Sequence, residues 1–290
     1  MRLVTLRTAE GSRWGVRDGA DVHLAPREPG VPETLLEALG SGYLEDRLHT
    51  EGPTGWTTIS LAQATLDAPL PQPPRNIICL GLNYADHARE SQRAKGKDLE
   101  LPEHPVVFTK ATTTVSGPGD DIVLDPRVTG QFDWEVELAV VIGRGGRHIP
   151  ADRALAHVAG WTVVNDLSAR DLQFQHKQFF MGKSVDGSCP MGPELVTVDE
   201  LPEAGDLTLR CSVNGTVKQE ASTAAMIFPV PEIIARLSRV MTLIPGDVIA
   251  TGTPSGVGFA REPPEFLEPG DVVRSEIEPL GALENRIVSP

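Results

Sequence analysis

The chain has 290 residues, enough for one large domain or for a large domain with a small one. A hydrophobic content of 40% supports a packed core and excludes wholesale disorder, and a net charge of −14 argues against a nucleic-acid or anionic-membrane partner. The longest apolar runs, such as 138–142, are far too short to span a bilayer, and the N-terminus lacks the apolar run of a signal peptide. The three cysteines, Cys79, Cys189 and Cys211, are far apart and form no CxxC pair, which fits a reducing, cytoplasmic setting.

In chain order, residues 2–7, 13–17 and 21–25 read as short strands joined by Gly- and Asp-containing turns. The apolar spacing over 34–48 predicts a helix, weakened by Gly40 and Gly42. Pro69, Pro71, Pro73 and Pro74 make a stiff connector. They suggest a small N-terminal domain over 1–70, a Pro-rich connector over 71–74 and a larger domain over 75–290.

The larger part opens with a buried strand, 77–80, that runs through Gly81 into a polar stretch. If 84–93 is helical, His87 and Glu90 stand at i and i+3 and meet on one face. A carboxylate there orients the imidazole and suits it to general-base work; an ordinary surface His–Glu pair is the plainer reading. Residues 91–103 are charged and nearly free of apolar anchors, as a lid or a plain solvent loop would be.

The stretch Phe132-Asp-Trp-Glu-Val-Glu-Leu-Ala-Val-Val-Ile-Gly143 reads as one strand ended by glycine. Asp133, Glu135 and Glu137 alternate, so they share a face and repel one another. A hard divalent cation such as Mg²⁺ or Mn²⁺ would compensate them; a solvated edge strand whose acids deter aggregation is the alternative. Residues 151–157 predict a short helix. A strand from Trp161 ends at Asn165-Asp166, where Asp166 serves either as a helix N-cap or as a third oxygen ligand. Arg170 and Gln173 follow on one helical face, and Arg suits carboxylate recognition.

Residues 181–193 look like a loop carrying Lys183. The Gly182-Lys183-Ser184 tripeptide is not a phosphate loop, because Lys177 stands where the earlier glycine is required. Strands 207–213 and 217–220 flank a hairpin turn at Asn214-Gly215, and 231–240 predicts an amphipathic helix. Thr251-Gly-Thr-Pro-Ser-Gly-Val-Gly258 is a Gly-rich loop whose hydroxyls and amides suit a carboxylate.

In sequence order, Gly-Leu-Asn-Tyr-Ala-Asp-His-Ala-Arg-Glu90, Asp133-Trp-Glu-Val-Glu-Leu-Ala-Val-Val-Ile-Gly143, Asn165-Asp-Leu-Ser-Ala-Arg-Asp-Leu-Gln173, Gly182-Lys-Ser-Val-Asp186 and the Thr251–Gly258 loop strongly resemble the fumarylacetoacetate hydrolase family over residues 75–288. The resemblance implies an α+β, mostly β fold: a mixed β-roll or β-sandwich core with a small N-terminal α/β domain. It implies one Mg²⁺ or Mn²⁺ per chain, held by Glu135, Glu137 and Asp166, and a homodimer. By position His87, Glu90 and Lys183 carry catalysis, while Arg170, Gln173, Thr251, Gly252 and Thr253 hold a small anionic keto-acid substrate. Three carboxylates, one divalent ion and Lys183 sum to formal neutrality.

The activity expected from this set is hydrolysis of a carbon–carbon bond in an acylpyruvate-type 2,4-dioxo acid, with the His–Glu dyad activating water. The alternatives are decarboxylation of an oxaloacetate-type β-keto acid and isomerisation of a 2-hydroxyhepta-2,4-diene-1,7-dioate or 5-carboxymethyl-2-hydroxymuconate type of acid. A metal-stabilised binding protein without turnover is the remote one. The family resemblance does not choose between the reactions.

Overall fold

The computed structural model describes residues 1–96, 98 and 100–290. Among these the fold is mostly β, built from a twelve-stranded mixed sheet, a five-stranded sheet and a two-stranded pair. Along its main path the large sheet runs Thr57–Ser60, Asp21–Leu24, Gly11–Asp18, Arg2–Thr8, Cys189–Thr197, Val158–Asn165, Val136–Ile142, Val248–Ala250, Ile77–Gly81 and Val106–Lys110, with Thr65–Asp67 added on Arg2–Thr8 and Val115–Ser116 on Cys189–Thr197. The N-terminal strands enter this sheet where Arg2 and Leu3 pair with Val196 and Leu195.

The strand Val136–Ile142 lies in the middle, hydrogen-bonded on both sides and buried at all seven positions. Its alternation sorts side chains between two cores. Val136, Leu138, Val140 and Ile142 join Leu209, Cys211 and Ile277 of the five-stranded sheet, as in a β-sandwich. Ala139 and Val141 face the opposite core with Leu3 and Trp14. Glu137 belongs by register to that second face, at the end of an otherwise apolar stripe.

Several expectations change in three dimensions. The helix over 34–48 is split: Leu35–Ser41 is capped by Thr34 and ends at Gly42, whose φ of 75° a side chain disfavours, and a π-helical segment, Leu44–Leu48, follows. The acidic stretch is not one strand. Phe132–Asp133 pairs with Ser168–Ala169, and the ladder restarts at Val136, because the Glu135 amide bonds the Asn165 side chain instead. Nor is it an exposed edge, since Asp133, Glu135 and Glu137 are all buried.

Residues 181–193 are not loop throughout; Phe180–Lys183 is a short helix and Cys189–Thr197 a strand. Prolines are usual only at sheet edges, yet this strand is interior. Its register against Val158–Asn165 shifts between Trp161 and Val163, and Pro193 falls opposite that irregularity, where no ladder amide is required. The helix Ala85–Ala94 runs into the segment expected to be loose, and the Gln92 side chain clasps the backbone of Glu100 on both its N–H and C=O. The lid or solvent loop expected over 91–103 falls partly on positions 97 and 99, which lie outside the described residues. No helix among the described residues is long and apolar enough to cross a membrane.

Asn83 ties these parts together. It is buried, its Nδ2 donates to the carbonyls of Phe228 and Thr251, and its Oδ1 accepts from the Phe228 amide. Replacing it with Ala strands three buried backbone groups, so Asn83→Ala should lower the unfolding free energy by about 3 kcal/mol. A urea titration that left the midpoint at the native value would contradict this role.

Candidate active site

The site forms at the ends of adjacent strands. Val136 pairs with Asn165, so Glu135 and Asp166 meet just beyond that pair, and the Asp166 amide donates to the Glu135 carbonyl at 2.8 Å. On the other side Ala139 pairs with Ala250, which brings Gly252 alongside; its amide donates to Glu137 Oε2 at 2.7 Å. Glu135, Glu137 and Asp166 thus each offer an oxygen within 4.8 Å of the others, and all three are buried. Asp166 caps no helix: the helix Arg170–Gln175 begins four residues later with Ala169 as its cap.

Three buried cations surround the trio. Lys183 Nζ lies 2.6 Å from Glu135 Oε2 and 2.7 Å from Asp166 Oδ2. Arg170 reaches Glu135 Oε1 at 2.6 Å and Asp133 Oδ2 at 2.8 Å, and donates to Gln173 Oε1 at 2.9 Å. Lys110 Nζ sits 2.8 Å from Asp166 Oδ1 and donates to the Leu167 carbonyl and Ser188 Oγ. Glu135 and Glu137 are driven apart electrostatically. Burial alone would raise Glu135, but Lys183 and Arg170 outweigh it and hold the carboxyl well below the usual range. Burial, with Asp166 and Glu135 as like-charged neighbours, pushes Glu137 well above it.

Across the same cavity, whose wall includes Glu135, Lys183, Arg170, Gln173 and Thr253, stands His87. Its Nδ1 is 2.9 Å from Glu90 Oε1, and Glu90 is fixed in turn by the Gly256 amide, which donates to both carboxylate oxygens. Gly256 has a φ of 103°, and a Cβ there would lie 2.1 Å from the Lys218 carbonyl oxygen, so only glycine fits.

The Gly-rich loop serves differently from the expectation. Its amides hold the protein's own acids: Gly252 takes Glu137, Gly256 takes Glu90, and Gly258 takes Asp133 at 2.7 Å. The hydroxyls of Thr251 and Thr253 donate to the Leu138 and Val136 carbonyls, and Thr253 Oγ1 also accepts from Gln219. Of Thr251, Gly252 and Thr253, Thr253 lines the cavity, and the Gly252 amide donates to Glu137. Asp86, which neighbours the dyad in sequence, is exposed and paired with Arg89.

Lys110 and Gln219 were not singled out from sequence, and Asn165 was read only as a strand end. Lys110 had one signal, an ammonium two residues beyond Phe108 in a strand where the alternation points both to the same side. Gln219, whose Oε1 accepts from the Val136 amide, lay in an ordinary hairpin strand with no such mark.

The donor set suits a hard divalent ion. Glu137 Oε1 is buried without a hydrogen-bond partner, and three carboxylate oxygens converge on one point. Four buried carboxylates, Asp133, Glu135, Glu137 and Asp166, face the three cations and leave one formal negative charge. A divalent cation reverses that sign and leaves the cavity attractive to an anion. In the metal-free protein the raised Glu137 carboxyl holds its proton to higher pH than a free glutamate, and a bound cation must displace it. Mn²⁺ affinity should therefore rise by about tenfold per pH unit until Glu137 is ionised, then level off. Glu137→Gln should weaken binding and flatten the dependence. Calorimetric titrations across pH check this, and a pH-independent affinity in the native chain would contradict it.

Comparison with known proteins places this arrangement. A family profile described as fumarylacetoacetate (FAA) hydrolase C-terminal matches residues 76–288. The chain is 51% identical over 266 residues to oxaloacetate tautomerase YisK of Bacillus subtilis (strain 168), covering 89% of this chain and 87% of that protein. It is 40% identical over 308 residues to a mitochondrial oxaloacetate tautomerase of Homo sapiens, covering 99% and 92%. Among solved structures, a maleylpyruvate hydrolase from Sphingobium sp. SYK-6 in complex with manganese(II) ion and pyruvate superposes with a TM-score of 0.78 at 29% identity, covering 100% of this chain and 99% of the other. The fold, the order of motifs and these matches together show that the chain belongs to the fumarylacetoacetate hydrolase family.

Proposed function

We propose that this protein interconverts the keto and enol forms of an oxaloacetate-type 2-oxo dicarboxylate, using one Mg²⁺ or Mn²⁺ per chain. The carbon–carbon hydrolysis expected from sequence gives way to an isomerisation, on the oxaloacetate-type acid of one alternative rather than on the hydroxymuconate-type acid of the other. Relatives at 51% and 40% identity are named for tautomerisation of oxaloacetate, and that chemistry needs no activated water. The observation that carries the reading is His87, paired with Glu90, on the wall of the cavity that holds the Glu135 carboxylate. A positioned base facing an anchored 2-oxo acid is the minimum apparatus for enolisation.

The ion, when bound to Glu135, Glu137 and Asp166, supplies Lewis-acid polarisation of the 2-oxo group. The chain's residues do the rest. His87, its ring oriented by Glu90, takes a proton from the substrate carbon beside the 2-oxo group. The C–H electron pair becomes the new carbon–carbon double bond, and the carbonyl pair moves onto oxygen, which takes up a proton to give the enol. Lys183 stabilises negative charge developing on that side of the cavity. Arg170 and Gln173, fixed to each other, orient the substrate's carboxylate end. The reading includes a homodimer, as the family resemblance implies, and a reducing compartment, which suits three buried free cysteines.

Fresh oxaloacetate given to the Mn²⁺-loaded protein should relax to keto–enol equilibrium faster than the metal-only background, followed by ultraviolet absorbance. His87→Ala should lower kcat by about 10²–10⁴-fold and retain Mn²⁺ binding. Formation of pyruvate and CO₂ without faster relaxation would turn the assignment to a decarboxylase. Acetate and pyruvate from acetylpyruvate, again without faster relaxation, would restore the hydrolase.

A further inference from the structure

Most polar groups on the wall of the active cavity are engaged within the protein. Glu135 is held by Lys183 and Arg170, and Arg170 also takes the side-chain oxygen of Gln173. The Thr253 hydroxyl donates to the Val136 carbonyl, and His87 commits one ring nitrogen to Glu90. Ser91 differs. It lines the same cavity and is only 3% exposed, yet among the described residues its hydroxyl makes no hydrogen bond. A buried helical serine ordinarily returns its hydroxyl to a carbonyl of the preceding turn. Ser41 does so to Ala38 and Ser238 to Ala235. Ser91 stands at i+4 from His87 on one face of the helix Ala85–Ala94. At that spacing the two Cβ atoms are about 6 Å apart, and helical side chains lean towards the N-terminus, here towards His87. The wall thus sets an uncommitted, buried donor next to the imidazole.

From this juxtaposition we infer that Ser91 donates its hydroxyl to the substrate's second carboxylate, the one borne by the carbon that His87 deprotonates. The inference rests on the proposed enolisation, which sets that carbon against the His87 ring. In an oxaloacetate-type acid the same carbon carries the second carboxylate, one bond away. The head of the acid, its first carboxylate and 2-oxo group, lies towards Glu135. The group that meets the second carboxylate is therefore a neighbour of His87, and Ser91 is the next residue along that helical face. A hydroxyl donating to a carboxylate makes a short, charge-assisted bond. Being neutral, it also leaves the imidazole's basicity nearly intact, whereas a cation in the same place would lower it. An acid without the second carboxylate forgoes the contact, so Ser91 favours dicarboxylates over monocarboxylates with the same head.

Malate and lactate share a 2-hydroxy acid head, and only malate carries a carboxylate on the next carbon. Calorimetry on the Mn²⁺-loaded full chain should show malate binding more tightly than lactate. Ser91→Ala should weaken malate by about tenfold, as loss of one hydrogen bond to a charged group gives, and leave lactate within about twofold of its native affinity. Alanine removes a single oxygen and raises helix propensity, so the variant stays folded. Equal loss of both affinities would assign the hydroxyl to the shared head or to the wall itself. Unchanged malate binding would leave it a group answered by solvent. Either result overturns the inference, as does a native chain that binds the two acids equally. Because binding is read without turnover, a malate preference that falls with Ser91→Ala in a chain that leaves oxaloacetate relaxation unaccelerated would refute the reaction and leave the carboxylate contact standing.

Discussion

A carboxylate buried in the middle of a sheet with one oxygen unpartnered is the constraint around which this molecule is built. Glu137 occupies a central strand, takes one amide from Gly252, and lies among Glu135 and Asp166. Moving a charge from water to such a place costs several kcal/mol unless something answers it. Much of the surrounding architecture is that answer. Lys183, Arg170 and Lys110 balance its neighbours, and the strand register delivers Asp166 opposite Glu135. Glu137 Oε1 itself is buried without a hydrogen-bond partner, and a divalent ion held by the trio would complete the balance there.

The Gly-rich loop shows how a small amount of chain organises several acids. From one turn it gives amides to Glu137, Glu90 and Asp133, which belong to the carboxylate trio, the His87–Glu90 pair and the Arg170 ion pair. These groups are therefore held in one frame. A backbone amide is a rigid donor with no rotamer to freeze, so the geometry is set when the loop folds. The same frame reaches Asn83, which binds the Thr251 carbonyl and precedes the helix that carries His87 and Ser91.

The sequence was legible where a residue's role follows from local periodicity. The His87–Glu90 spacing, the Arg170–Gln173 spacing and the Asn214-Gly215 hairpin are local, and each appears as expected. What failed was long-range. Alternation within 132–143 could not reveal that Asn165 would break the ladder at Glu135, or that the stretch would be buried by strands brought from elsewhere in the chain. Likewise the loop at 251–258 showed available amides but not their acceptors, which lie more than a hundred residues away. Lys110 stayed hidden because a lysine ending a strand is ordinarily solvated, and its burial depends on Asp166 and Ser188 arriving from separate elements. Family resemblance supplied the grouping that local pattern could not, while the fold leaves the choice of reaction open and the proposed one draws on the relatives' names.

The central claim is that the buried trio is completed by a divalent cation. Crystals grown with Mn²⁺ and measured at a wavelength where manganese scatters anomalously test it most directly. The account predicts one strong anomalous peak per chain, at ordinary carboxylate distance from Glu135, Glu137 and Asp166, with Glu137 Oε1 among its ligands. A map with no peak there, or with the Lys183 ammonium closing the cluster while manganese binds elsewhere, would contradict it.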